Sequence, residues 1–139
     1  MTERIVALDY GSARCGVAVS DPTGTLATPL EPVLRPATRK GFNRLLATIR
    51  AQDPAAVVVG LPLSLSGADS AQTAETRAFA ERLASFLAVR VVLEDERFTT
   101  RLAQQREGAA AEDSRAAAVL LEGYLARDPS SLGGVGDEE

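Results

Sequence analysis

The 139-residue chain contains no histidine and one cysteine, Cys15. The absence of histidine excludes a Ser-His-Asp triad, a Cys-His pair and a histidine-ligated zinc site. A lone cysteine forms neither an intrachain disulfide nor a cysteine-ligated metal cluster, which is typical of proteins of the reducing cytoplasm. The sequence also lacks a signal pattern and any apolar run near the roughly 18 residues of a membrane span. We therefore expect a cytoplasmic protein that does not cross a membrane.

Acidic residues outnumber basic ones, 19 to 15, but the imbalance comes from the C-terminal segment 128–139, which holds four acids and no base. The rest of the chain is therefore neutral. The low isoelectric point of the whole chain comes from this segment and says nothing about binding partners. Because the segment is also rich in Gly and Ser, we expect a disordered acidic tail after a single domain of residues 1–127.

Residues 32–52 carry five bases and no acid. Two interpretations stay open: a patch that faces phosphates, or a solvated helix face. The bases are Arg35, Arg39, Lys40, Arg44 and Arg50.

Hydrophobic patterns define the order of the secondary structure. Short apolar runs predict strands at residues 4–8, 15–20, 30–34, 56–60 and 89–93. Helical spacing of apolar residues predicts helices around 42–49, from about 70, at 99–106, and over a last stripe of Ala117, Leu120, Leu121 and Tyr124. Right-handed crossovers place the later strands parallel to the first. The result is an α/β protein in the order β-β-β-α-β-α-β-α, a five-stranded mixed sheet flanked by helices, as in the ribonuclease H-like fold.

Three acidic residues lie where elements end or begin: Asp9 and Glu96 follow apolar runs, and Asp113 opens the last helix. Taken singly, Asp9 is a turn former, Glu96 an ion-pair partner of Arg97, and Asp113 a helix cap. Taken together, they converge at the carboxyl ends of the parallel strands. Because clustered carboxylates repel one another, a bound cation is expected, and oxygen ligands favour Mg²⁺ or Mn²⁺.

Four segments resemble the YqgF family, also called RuvX, of bacterial Holliday-junction-resolvase-like nucleases that process the small-subunit ribosomal RNA precursor. They are residues 8–21 (LDYGSARCGVAVSD), residues 59–63 (VGLPL) with Gly67, residues 95–100 (DERFTT), and Asp113-Ser114 with Ala116-Ala117. The resemblance implies a catalytic and metal-binding triad of Asp9, Glu96 and Asp113, with Asp95 as a candidate auxiliary residue. Two departures are a short, nearly neutral stretch at 106–112 and Phe98 in place of a leucine.

The function that this resemblance implies is hydrolysis of phosphodiester bonds with two divalent cations bridged by Asp9. The substrate is then the 5′ end of pre-16S ribosomal RNA, branched DNA, or both. The candidate substrate-binding residues are Arg14, Arg97, Arg39, Lys40 and Arg44.

Two other functions fit the same residues. The Asp9-Tyr10-Gly11-Ser12 turn resembles the phosphate loop of actin-type and sugar kinase ATPases, although the chain is too short for their second domain. A non-catalytic RNA-binding factor of ribosome assembly is the other alternative. Sequence leaves open whether the protein is a monomer or a homodimer.

Overall fold

The computed structural model describes residues 4–21, 26–62, 70–95, 112–126 and 134–135, and of residues 112, 113, 134 and 135 it describes the backbone only. The elements are, in chain order, β1 (Ile5–Asp9), β2 (Arg14–Ser20), β3 (Ala27–Leu34), α1 (Arg39–Gln52), β4 (Ala56–Leu61), α2 (Ala71–Phe86), β5 (Arg90–Asp95), α3 (Glu112–Leu125) and β6 (Gly134–Val135). The short helix predicted at 99–106 lies outside the described residues. In the part of the chain that is described, no helix is both long and apolar enough to span a bilayer.

The strands form one mixed sheet in the order β3-β2-β1-β4-β5-β6. β1, β2 and β3 form an antiparallel meander, and β4 and β5 lie parallel beside β1. The α/β layout predicted from the sequence is confirmed for these five strands. β3 is longer than its apolar pattern indicated because, as an edge strand, it exposes most of its side chains.

A sixth strand corrects the predicted number of strands. Gly134 and Val135 pair antiparallel with Val92 and Val91 of β5, so the sheet has six strands rather than five. The predicted disordered tail, residues 128–139, lies outside the described residues apart from these two, and it stays a prediction. Backbone pairing with the edge of β5 satisfies hydrogen-bonding groups there whatever the local composition.

Helices cover both faces of the sheet. The side chains of β1 point alternately toward the two faces. Val6 and Leu8 point into the core beneath α1 and α2, whereas Ala7 points into the core beneath α3. The first of these cores receives the predicted stripe of α1, and the second receives the stripe of α3, namely Ala117, Leu120, Leu121 and Tyr124.

The helices begin at the edge where the parallel strands end. Thr38 caps α1 by accepting a hydrogen bond from the Gly41 amide, and Ser70 caps α2 by accepting one from the Thr73 amide. The Thr73 hydroxyl donates to the carbonyl of Pro62, which follows β4 directly. Each crossover helix therefore starts beside a strand end and runs back along the sheet.

Candidate active site

The strand register brings the acidic strand ends to one edge. Leu8 pairs with Val59, which places Asp9 level with Gly60, and Gly60 pairs with Glu94. Asp9 ends β1 and Asp95 ends β5. The carboxyl edge of these parallel strands is where α/β proteins commonly build their sites.

Asp9 lies on the face of the sheet that α3 covers. Its neighbour Leu8 belongs to the core under α1 and α2, and Ala7, two residues back, packs under α3. Because strand side chains alternate, the carboxylate of Asp9 shares the face of Ala7. It is half-buried, so it is partly withdrawn from water and still accessible from the edge.

The first turn of α3 lies directly above this strand end. The Val17 amide donates a hydrogen bond of 3.1 Å to the Ser114 hydroxyl. Val17 pairs with Leu8, and the next pair joins Gly16 to Asp9. The α3 backbone at Asp113 is therefore next to the strand pair that carries Asp9. The Asp113 side chain is outside the described residues, and its place in the site stays a prediction.

Glu96, the third predicted ligand, also lies outside the described residues, as does Arg97. The chain reaches the site edge at Asp95, the last residue of β5. Asp95 itself alternates onto the face of Leu93, which packs against the core beneath α1 and α2. As an auxiliary residue it stays a prediction, on the opposite face from Asp9.

Glu94, which was not among the predicted site residues, is an acid that is only 2% exposed. It shares a face with Val92, which packs under α3. At its level the α3 face of the sheet reads Asp9, Gly60, Glu94, and adjacent strands lie about 4.8 Å apart. Burial raises the pKa of Tyr124 in α3; the positive charge of Arg90 opposes this rise, and the negative charge of Glu94 adds to it. The alternation from Val92 was the signal that would have found this residue.

Tyr10 fixes the end of β1 from the other face, and it too was missed. Its ring is stacked on Phe79 of α2, with centroids 4.1 Å apart. Its hydroxyl donates to Oε2 of Glu75 at 3.1 Å. Burial, and then this hydrogen bond, raise the pKa of Tyr10 to about 12. The residue after Asp9 is thus anchored to α2.

The turn after Tyr10 is tight, and the chain beside it is strained. A Cβ at Gly11 would lie 2.9 Å from the Arg14 carbonyl oxygen. The Arg35 amide donates to the Ala13 carbonyl, and Arg35 has a φ of 49°, in the left-handed region. Gly41 of α1 packs so closely on Arg35 that a side chain there would collide with its carbonyl.

The predicted basic residues lie in two separate places. Arg14, and Arg39 and Lys40 in the first turn of α1, are exposed at the edge that carries Asp9, and Arg44 follows one turn along α1. Arg50 lies in the last turn of α1, and its guanidinium donates to the Phe86 carbonyl at 2.7 Å. The acid-free stretch is therefore not one continuous patch.

The donors at the site are carboxylate oxygens, which suit Mg²⁺ or Mn²⁺. Among the side chains that the structure describes, no three acidic or cysteine residues are grouped to hold a metal ion. Two members of the predicted triad, Glu96 and Asp113, are outside that set.

Solved structures share this architecture. Thermus thermophilus RuvC superposes with a TM-score of 0.60 at 14% identity, covering 94% of this chain and 99% of that one. The same protein in complex with a Holliday junction substrate gives 0.58 at 17% identity, covering 95% and 99%. The fold is the ribonuclease H-like fold predicted from the sequence.

Relatives in sequence show the family as well as the fold. A protein of Alcanivorax borkumensis named "Putative pre-16S rRNA nuclease" is 39% identical over 128 residues, covering 89% of this chain and 96% of that protein. A Clavibacter michiganensis protein of the same name is 46% identical over 111 residues, covering 79% and 69%. The family model described as "RuvX: Holliday junction resolvase" matches residues 3–127. The chain belongs to the RuvX family.

Proposed function

We propose that the protein is a divalent-metal-dependent nuclease that hydrolyses phosphodiester bonds at the edge carrying Asp9. The observation that carries the proposal is the hydrogen bond from the Val17 amide to Ser114, which holds the start of α3 above the end of β1. It brings the backbone positions of two acidic residues, Asp9 and Asp113, to one place. In sequence, Glu96 is the next residue after Asp95, which ends β5 at the same edge.

In this proposal Asp9, Glu96 and Asp113 hold the metal, and Mg²⁺ or Mn²⁺ fits their oxygen donors. Two such ions, when bound, supply an activated water and stabilise the leaving oxygen of an in-line displacement. Asp9 is suited to its role because Tyr10 anchors the strand end to α2 while the Asp9 carboxylate faces α3.

The basic residues of α1 support a nucleic-acid substrate. The first turn of α1 contains no acid and carries Arg39 and Lys40. Cations at a helix N-terminus oppose the helix dipole, typically by about 0.3–1 kcal/mol each. Stability therefore disfavours these residues there, whereas phosphate binding favours them, together with Arg14 and Arg44. Arg97 completes the proposed set of substrate-binding residues.

The names of the relatives suggest pre-16S ribosomal RNA as the substrate, and the resemblance in sequence suggests its 5′ end. Branched DNA is the second candidate. An RNA precursor of this kind places the protein in the cytoplasm.

The test is cleavage by the full chain of ribosomal precursor RNA, single-stranded RNA and a four-way DNA junction, with and without Mn²⁺. We expect Mn²⁺-dependent cleavage that Asp9→Asn, Glu96→Gln and Asp113→Asn each abolish. Asp53→Asn is the matched control, because Asp53 caps the far end of α1 in the left-handed region, which asparagine tolerates. Cleavage that persists in all three variants would refute the assignment.

A further inference from the structure

Ser114 is a fully buried polar residue in the first turn of α3. Its relative exposure is 0%, and its hydroxyl oxygen accepts the Val17 amide proton across 3.1 Å. A buried serine hydroxyl requires a partner, and among the described residues its partner is the Val17 amide of the sheet.

Val17, which donates this hydrogen bond, lies close to Asp9 in the sheet. Val17 faces Leu8 in β1, and the adjacent pair joins Gly16 to Asp9. On its other side, the pairing of β2 with β3 shifts register between Cys15 and Val17. Ser114 therefore contacts the backbone of β2 beside an irregularity, one residue pair away from Asp9.

We propose that Ser114 is a positioning residue that sets the separation between Asp113 and Asp9. It acts through its neighbour Asp113, whose Cα lies about 3.8 Å from its own, and it touches neither metal nor substrate. This inference rests on the proposed function, in which both aspartates are ligands.

Removal of the hydroxyl leaves the Val17 amide buried without its acceptor and the first turn of α3 without its tie to β2. Asp113 then samples positions further from Asp9. Mg²⁺ and Mn²⁺ sites depend on ligand geometry. We therefore expect the affinity for the metal to fall, while the cleavage rate at saturating metal stays close to native.

The experiment compares Ser114→Ala, Ser114→Thr and the native chain in Mn²⁺ titrations. Two midpoints are measured: that of cleavage, and that of the Mn²⁺-dependent rise in melting temperature without nucleic acid. Mutation of a residue that supports a metal ligand typically lowers metal affinity about 10- to 100-fold. We expect Ser114→Ala to raise both midpoints about tenfold, with a rate at saturating Mn²⁺ close to native. Ser114→Thr keeps the acceptor and retains native midpoints, even if its extra methyl lowers the melting temperature.

Ala118→Gly is the control, because Ala118 is buried in α3 four residues further on and glycine destabilises a helix interior. It should lower the melting temperature and leave both midpoints native. Native midpoints in Ser114→Ala, raised midpoints in Ser114→Thr, or an equal shift in Ala118→Gly would each overturn the positioning role. Failure of the proposed function looks different: the native chain shows no Mn²⁺ response at all, and the inference about Ser114 falls with it.

Discussion

Substitution of Tyr10 by phenylalanine should reverse the order of stability between the native chain and the variant as pH rises. Tyr10 is 6% exposed, stacks on Phe79 and donates its hydroxyl proton to Glu75. Phenylalanine keeps the ring and loses the hydrogen bond. Because Glu75 is exposed to water, we expect a loss of about 1 kcal/mol at neutral pH.

The titration of Tyr10 lowers the stability of the native chain at high pH, whereas its hydrogen bond raises that stability at neutral pH. Its pKa is about 12 in the folded chain, against about 10 in an unfolded one. The unfolded state therefore loses its proton first, and the stability of the native chain, complete below pH 10, falls as pH rises from 10 to 12. At about 1.36 kcal/mol for each pKa unit, the fall reaches roughly 2.7 kcal/mol. Phenylalanine has no such loss, so the two stability curves cross near roughly pH 11.

The measurement is urea unfolding of both chains at several pH values, from neutral into this window. Glu75→Gln is a useful companion, because burial is the largest cause of the raised pKa and the hydrogen bond to Glu75 the second. This variant should keep the part of the decline in stability that burial causes and lose the part that Glu75 causes. A constant difference between the native chain and Tyr10→Phe at all pH values would show that Tyr10 is not held as described.

Asp9→Asn should abolish Mn²⁺-dependent cleavage while leaving the melting temperature in chelator unchanged or higher, since it relieves carboxylate repulsion; a fall of several degrees would mark Asp9 as a structural residue. Changing Arg39, Lys40 and Arg44 together to Glu should weaken single-stranded RNA binding and reduce the slope of log affinity against log salt by about 0.7 for each phosphate that is no longer neutralised. Arg50→Glu, at the other end of α1, is the control and should leave the slope unchanged; equal slopes in all three proteins would make the α1 bases a solvated face. Calorimetry should detect no ATP binding, and micromolar affinity would favour the phosphate-loop alternative.

The sequence was most informative where burial decides structure. The continuous apolar runs of β1, β4 and β5 and the stripe of α1 predicted their elements within one to three residues, because each element fills a core. The edge strand β3 was underestimated, because its exposed residues carry no such pattern. The two-residue β6 was missed, since its pairing depends on backbone groups alone.

At the site, the sequence predicted the converging strand ends and missed what supports them. Asp9 was selected as a candidate because it ends an apolar run. Glu94 was missed although the alternation from Val92 indicates it. Tyr10 and Ser114 were missed because their roles depend on partners far along the chain: the hydrogen bond of Tyr10 spans 65 residues and that of Ser114 spans 97. A local pattern does not encode such partners, whereas the strand register does.

The common starting edge of α1, α2 and α3 has an electrostatic consequence for a chain whose body is neutral. Each helix N-terminus behaves as about half a positive charge, so the backbone alone places roughly 1.5 positive charges where the strands end. This field belongs to peptide groups, and no side-chain substitution or change of pH removes it. It acts within about one turn of each helix end, so at this edge it offsets part of the repulsion among the carboxylates and does not extend far into the solvent.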